Sequence, residues 1–125
     1  MARERVRRRA TRGATGRRVV RGGGAIPQAG YGIRGSLDGG YIAYYGPYYE
    51  QPNALLSVQI NYTPASATVQ LGICTGTTQG SCFNWQPISN GSGSAGWQVQ
   101  QAGYFYLAIW NQAAGSIDYN GVLQA

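Results

Sequence analysis

The chain has 125 residues, 43% of them hydrophobic and only 11% charged, with no histidine and a formal net charge of +6. That length holds one domain with a modest core. With no histidine and no lysine, the chain has only its few carboxylates for general acid–base work and no base of the usual kind to activate a Ser or Tyr nucleophile, and the two cysteines are too few for an all-cysteine zinc site.

The charge is unevenly distributed. Residues 1–21 hold nine arginines (Arg3, Arg5, Arg7, Arg8, Arg9, Arg12, Arg17, Arg18 and Arg21) against one acid, Glu4, a net of +8. The remainder holds Arg34 against Asp38, Glu50 and Asp118, a net of −2. Residues 1–24 lack apolar periodicity, so this Arg/Gly-rich stretch is expected to be a disordered arm ahead of a domain over 25–125. A solvated tail is one reading of it; the other is a docking arm, since guanidinium groups suit phosphate and would bind a polyanion (nucleic acid or an anionic surface) through salt-dependent, sequence-independent contacts. Its charge is that of a signal-peptide n-region, but Gly22-Gly23-Gly24 follow where an apolar segment is required. Either the chain is not exported by the general route, or a true signal has been removed and replaced, or the start is misassigned. No run of 18 apolar residues is present, so no membrane-spanning helix is expected.

From Gly30 onward the apolar pattern has period two between turn signals, which predicts an all-β domain, a single β-sandwich or jelly roll of about eight antiparallel strands. The predicted strands are, in chain order, Gly30–Ser36, Tyr41–Tyr45, Ala54–Tyr62, Thr68–Cys74, Cys82–Gln86, Trp97–Gln101, Tyr104–Asn111 and Ile117–Leu123. Asp38-Gly39-Gly40, Thr63-Pro64, Asn90-Gly91 and Ala113-Ala114-Gly115-Ser116 punctuate them. In the third strand Leu56, Val58, Ile60 and Tyr62 share one face, and in the fourth Val69, Leu71 and Ile73 do. Pairing Cys74 with Cys82 across a hairpin then sets Ile73 opposite Phe83 and Leu71 opposite Trp85, with every apolar residue on one side. This predicts a Cys74–Cys82 disulfide between neighbouring strands and with it an oxidising setting; two reduced cysteines in an intracellular particle are the alternative.

Three motifs carry little chemistry. The Gly-Ser-Gly-Ser-Ala-Gly of residues 91–96 has the letters of a dinucleotide fingerprint, but a β-pattern follows it and a flexible loop is expected. Asp38 and Glu50 flank one hairpin region, which leaves open a pair of glycosidase carboxyls about 5 to 9.5 Å apart. Asn61-Tyr62-Thr63 and Asn90-Gly91-Ser92 are glycosylation sequons relevant only to a eukaryotic secretory route.

The ten tyrosines and three tryptophans exceed what so small a core needs. In residues 104–111, Phe105, Leu107 and Ile109 suffice for the interior and leave Tyr104, Tyr106 and Trp110 on a second face. These three, extended by Tyr44, Tyr45 and Tyr48, are the expected interaction surface, as a subunit interface or a polysaccharide platform. An interior strand is the alternative.

The stretch Trp97, Val99-Gln100-Gln101-Ala102-Gly103-Tyr104-Phe105-Tyr106-Leu107 through Gly115-Ser116-Ile117-Asp118-Tyr119 resembles the closing hairpins of bacterial pre-peptidase C-terminal domains. Those secreted β-sandwiches carry an "aGxYyl" strand and then a "Y-x-l" strand. The resemblance covers residues 54–125 and lacks the family's aspartate-rich strand. In size, low charge and lack of a signal-peptide pattern the chain also resembles bacterial endospore appendage subunits, jelly rolls with a flexible N-terminal connector that is cysteine-rich, where this arm has no cysteine. A basic arm on a jelly roll is similar to many icosahedral coat proteins as well. Together these readings imply a non-enzymatic structural or assembly subunit of an extracellular filament, appendage or virion surface, acting as a homo-oligomer without cofactor or metal. The alternatives are a carbohydrate-binding surface module and a small coat protein whose arm binds nucleic acid.

Overall fold

The structure, a computed structural model, describes residues 30–125. The arm, and residues 25–29 of the predicted domain, lie outside that range. Eight strands follow in order: β1 (Gly30–Leu37), β2 (Ile42–Glu50), β3 (Leu55–Thr63), β4 (Val69–Cys74), β5 (Cys82–Ile88), β6 (Ser92–Gln98), β7 (Gly103–Asn111) and β8 (Ile117–Gln124). The helical content of the described residues is a single 3-10 turn, Gln79–Ser81.

The strands form two four-stranded sheets, ordered β1-β8-β3-β6 and β2-β7-β4-β5. Every pairing is antiparallel, and β1 pairs with β8, β2 with β7, β3 with β6 and β4 with β5. This is a long hairpin, with its tip between β4 and β5, rolled into two sheets that β8·β3 and β7·β4 complete. The connectivity is that of a jelly roll.

Alternation supplies the layer between the sheets. Leu56, Val58, Ile60 and Tyr62 of β3 face Val69, Leu71 and Ile73 of β4 and Leu107 and Ile109 of β7 across a continuous core. Each large aliphatic side chain buried there contributes on the order of 1.5–3 kcal/mol. Some of the polar groups in this layer are tied down, while the buried Tyr62 hydroxyl has no hydrogen-bond partner among the described residues. The Tyr45 and Tyr119 hydroxyls meet at 2.5 Å between the sheets. Asn111, fully buried at the end of β7, donates from Nδ2 to the Leu37 and Gly115 carbonyls at 2.9 and 2.8 Å and accepts from the Ala113 N–H at 3.0 Å. That one amide joins the turn after β1 to the β7–β8 turn.

The segment expected to be a flexible loop is strand. Ser92–Gln98 pairs residue for residue with β3, from Asn61↔Ser92 to Leu55↔Gln98. The predicted strand Trp97–Gln101 therefore begins too late. Small residues with weak strand preference hide this strand in the sequence; it is held by burial of Ala95 and Trp97 against the core.

Candidate functional site

The predicted disulfide is present. Cys74 and Cys82 are bonded cross-strand partners with Cα atoms 3.9 Å apart. Ile73 lies opposite Phe83 as expected, but the register then shifts: Leu71 faces Gln86, not Trp85. The cause is a bulge at Asn84, whose φ of 54° lies in the left-handed region that asparagine tolerates. The extra residue turns Trp85 from the core to the outer side of the sheet. There its ring lies across Gly72, where a Cβ would come within 2.6 Å of the indole. The Asn84 carbonyl freed by the bulge accepts a 2.9 Å hydrogen bond from the Trp97 indole of the opposite sheet.

A second bulge rearranges β2. Between Tyr45 and Tyr48 the strand gains a residue relative to β7, at Gly46-Pro47. Gly46 has φ +144°, and a Cβ there would sit 2.8 Å from the Phe105 carbonyl oxygen, so glycine is required. Simple alternation would put Tyr45 and Tyr48 on opposite sides; the bulge turns both inward, and they are buried at 0% and 2% exposure. Tyr48 stacks on Tyr31 with centroids 5.6 Å apart. Tyr45 and Tyr48 are thus core residues, a correction to the expected surface. Tyr44 does point outward but is covered, at 7% exposure, within the cluster on that face. It too is a support and not a contact residue.

The outer side of β2-β7-β4-β5 carries a second apolar layer. Ile42, Tyr44, Cys74 and Ala108 are buried, with Cys82, Trp85, Tyr106 and Trp110 half-buried over them. Trp85 and Trp110 pack at 5.1 Å with their planes tilted by 53°. Toward the far end Tyr49 meets Tyr104 edge-on at 5.1 Å, and Tyr104 is 63% exposed. The structure thus brings Tyr104, Tyr106 and Trp110 to one face, as alternation in β7 required, and adds Trp85 and Tyr49, which the sequence reading left out. Gly72 in the middle of a buried strand was the available signal for Trp85: a missing side chain leaves room for a flat ring. No charged side chain stands on the outward positions of these four strands among the described residues. At its margin the Gln70 side chain donates to that of Gln112 at 2.9 Å.

The opposite outer face, on β1-β8-β3-β6, carries mostly small and amide side chains, Ser36, Asn61, Thr63, Asn120, Ser57 and Gln59, with Arg34, Asp118 and the exposed apolar Leu55 and Val122. Ser36 donates to Asp118 at 2.5 Å, and Ser116 donates to Asp38 at 2.9 Å.

The carboxylates do not form a catalytic pair. Asp38 precedes β2 and Glu50 ends it, so the length of a nine-residue strand, roughly 27 Å, separates them. Glu50 is 6% exposed, its Oε2 has no partner among the described residues, and burial holds its pKa above the usual carboxylate range. Among the described residues no three of His, Cys, Asp or Glu cluster as metal ligands would.

No protein-family model matches the sequence, and no curated protein is detectably similar to it. Solved structures share its fold. The pre-peptidase C-terminal domain of a collagenase from Bacillus anthracis is similar at a TM-score of 0.59 and 13% identity, over 85% of this chain and 93% of that domain. PliG of Aeromonas hydrophila, a periplasmic inhibitor of g-type lysozyme, is similar at 0.57 and 10% identity, over 86% and 95%. The likeness to pre-peptidase C-terminal domains thus holds at the level of fold, and the chain is a small all-β sandwich of that architecture.

Proposed function

We propose that this protein is a non-enzymatic assembly subunit that packs against its neighbours through the outer aromatic face of β2-β7-β4-β5, as part of an extracellular filament, appendage or virion surface. The observation that carries the reading is the uncharged aromatic layer of Trp85, Tyr106, Trp110 and Tyr104 on a face the domain's own core does not use. Patches of this kind on small domains mark contact sites, and aromatic residues dominate interface cores. A disulfide at the hairpin tip fits an oxidising location. The arm is the electrostatic element, directed at a polyanion, because the described body has only two exposed carboxylates to offer nine arginines, and serines hold both.

Trp110→Ala tests the face. It is expected to reduce self-association at least ten-fold, measured by sedimentation, while the melting temperature falls by only a few degrees. A sharp loss of stability with association unchanged refutes the reading. A second reading, carbohydrate binding, is favoured by the Gln70 and Gln112 amides beside the flat Trp85 and Trp110 rings. It takes precedence if Trp110→Ala abolishes retention on a polysaccharide column and leaves association intact.

A further inference from the structure

Two sheets leave four edge strands, and three of them are blunted. In β2 the edge is broken by the Gly46-Pro47 bulge. In β5 it is broken by the Asn84 bulge and by Pro87, which has no N–H to offer. The edge of β6 is covered by β5: the Gln86 side chain donates to the Gly96 carbonyl at 3.3 Å, and Ile88 fills the space over Gly93. The fourth edge, β1, has neither proline nor bulge and keeps unbroken register with β8 from Gly30↔Gln124 to Leu37↔Ile117. Among the described residues its other side pairs with no strand. A regular edge of this kind is a template for another strand.

We infer that β1 pairs antiparallel with β1 of a second copy, across a two-fold axis at Ile33. Inward residues must face inward ones across the junction, so the numbers of paired residues sum to an even value. Within the eight residues of β1 two such registers pair seven residues and all others pair five or fewer. One of the two centres on Arg34 and sets that guanidinium against its own copy. The other centres on Ile33 and places Gly32 opposite the partner's Arg34, Gly35 opposite the partner's Tyr31 and Gly30 opposite the partner's Ser36. Each glycine of the strand then receives a side chain, and no like charges face each other.

The antiparallel sense also suits the arms. In this register the two Gly30 residues are six rises apart, roughly 20 Å, more than twice the screening length of about 8 Å at physiological salt. Parallel pairing would set two arms of net +8 side by side. The inference rests on the assembly reading above and adds a second, distinct contact to it.

Position 32 provides the test, since a Cβ there meets nothing within 4 Å in the single chain. In the full-length protein at physiological salt, Gly32→Arg is expected to weaken dimerisation by roughly two- to thirty-fold, because two like-charged pairs form across the axis. Gly32→Glu is expected to tighten it by a similar factor, and Gly32→Arg combined with Arg34→Glu to restore it. Sedimentation equilibrium reads all three. Equal dissociation constants for the three variants and the parent overturn the β1 contact. If Trp110→Ala alone abolishes association, the edge contact fails and the face contact stands. If only the Gly32 variants act, the edge contact stands and the face contact fails. A parent chain that stays monomeric at every concentration overturns both.

Discussion

The Trp85 ring lies across Gly72 so closely that a Cβ at residue 72 would meet three of its carbons within 3 Å. The outer aromatic layer therefore depends on one absent methyl group in β4. Gly72→Ala is expected to destabilise the domain by about 1–3 kcal/mol through overpacking, seen as a lower melting temperature with altered tryptophan fluorescence. Combining it with Trp85→Ala should recover much of the loss, and a double-mutant cycle measures that coupling.

Asn111→Ala removes three hydrogen bonds at once and leaves the Leu37 and Gly115 carbonyls without that donor. The expected loss is about 1–3 kcal/mol for the unsatisfied groups, read by chemical denaturation. Hydrogen exchange should rise in the turn after β1 and in the β7–β8 turn together. Change confined to the β7–β8 turn would contradict the joint role.

Glu50 is expected to make stability decline from acid toward neutral pH. Burial raises its folded pKa above the unfolded value, so the folded state holds its proton more tightly. The stability linked to this group is fully present below the unfolded pKa and is lost as pH rises through the folded one. With no histidine in the chain, no side chain of ordinary pKa obscures this between pH 5 and 8. Glu50→Gln is expected to flatten the decline and to stabilise the protein at neutral pH, as measured by melting temperature from pH 4 to 8. A parallel decline in parent and variant would show that another group is responsible.

Replacing both cysteines, Cys74→Ala with Cys82→Ala, is expected to cost about 2 kcal/mol, because the bridge closes only a short loop. Cys74 is also fully buried under the aromatic layer, so the variant should loosen Trp85 and Tyr106. Denaturant midpoints and tryptophan quenching read these effects separately. Unchanged quenching would separate the bridge from the layer above it.

Removing residues 1–24 is expected to leave the sandwich folded and to abolish polyanion binding, which in the full chain should fall steeply between 50 and 200 mM salt. Heparin retention and circular dichroism measure the two outcomes. Retention by the truncated body would place the electrostatic contact elsewhere.

The sequence made the regular strands legible. Clean alternation in β3, β4 and β7 marked their faces, and the shared polar set of Cys74 and Cys82 located a hairpin. What it did not reveal comes down to single inserted residues. A bulge at Gly46-Pro47 and another at Asn84 each invert the faces that follow, so Tyr48 moved into the core and Trp85 out of it. Such inversions depend on the partner strand, which local pattern does not specify. The Ser92–Gly96 part of β6 was hidden for a related reason: these small residues have little strand preference of their own, and pairing with β3 holds them.

The rolled hairpin has a consequence for the route by which the chain reaches this structure. Seven residues separate β4 from β5 at its tip, whereas 79 separate β1 from β8 at its base. Loop-closure entropy makes the base pairing harder to initiate by about 2 kcal/mol if each pair forms alone. Strand pairing is thus favoured to spread from the tip toward the termini, with β1 docking late. Contacts this distant in sequence place refolding in the millisecond-to-second range typical of all-β sandwiches, and during that interval it is the outer edge of β8 that stands open.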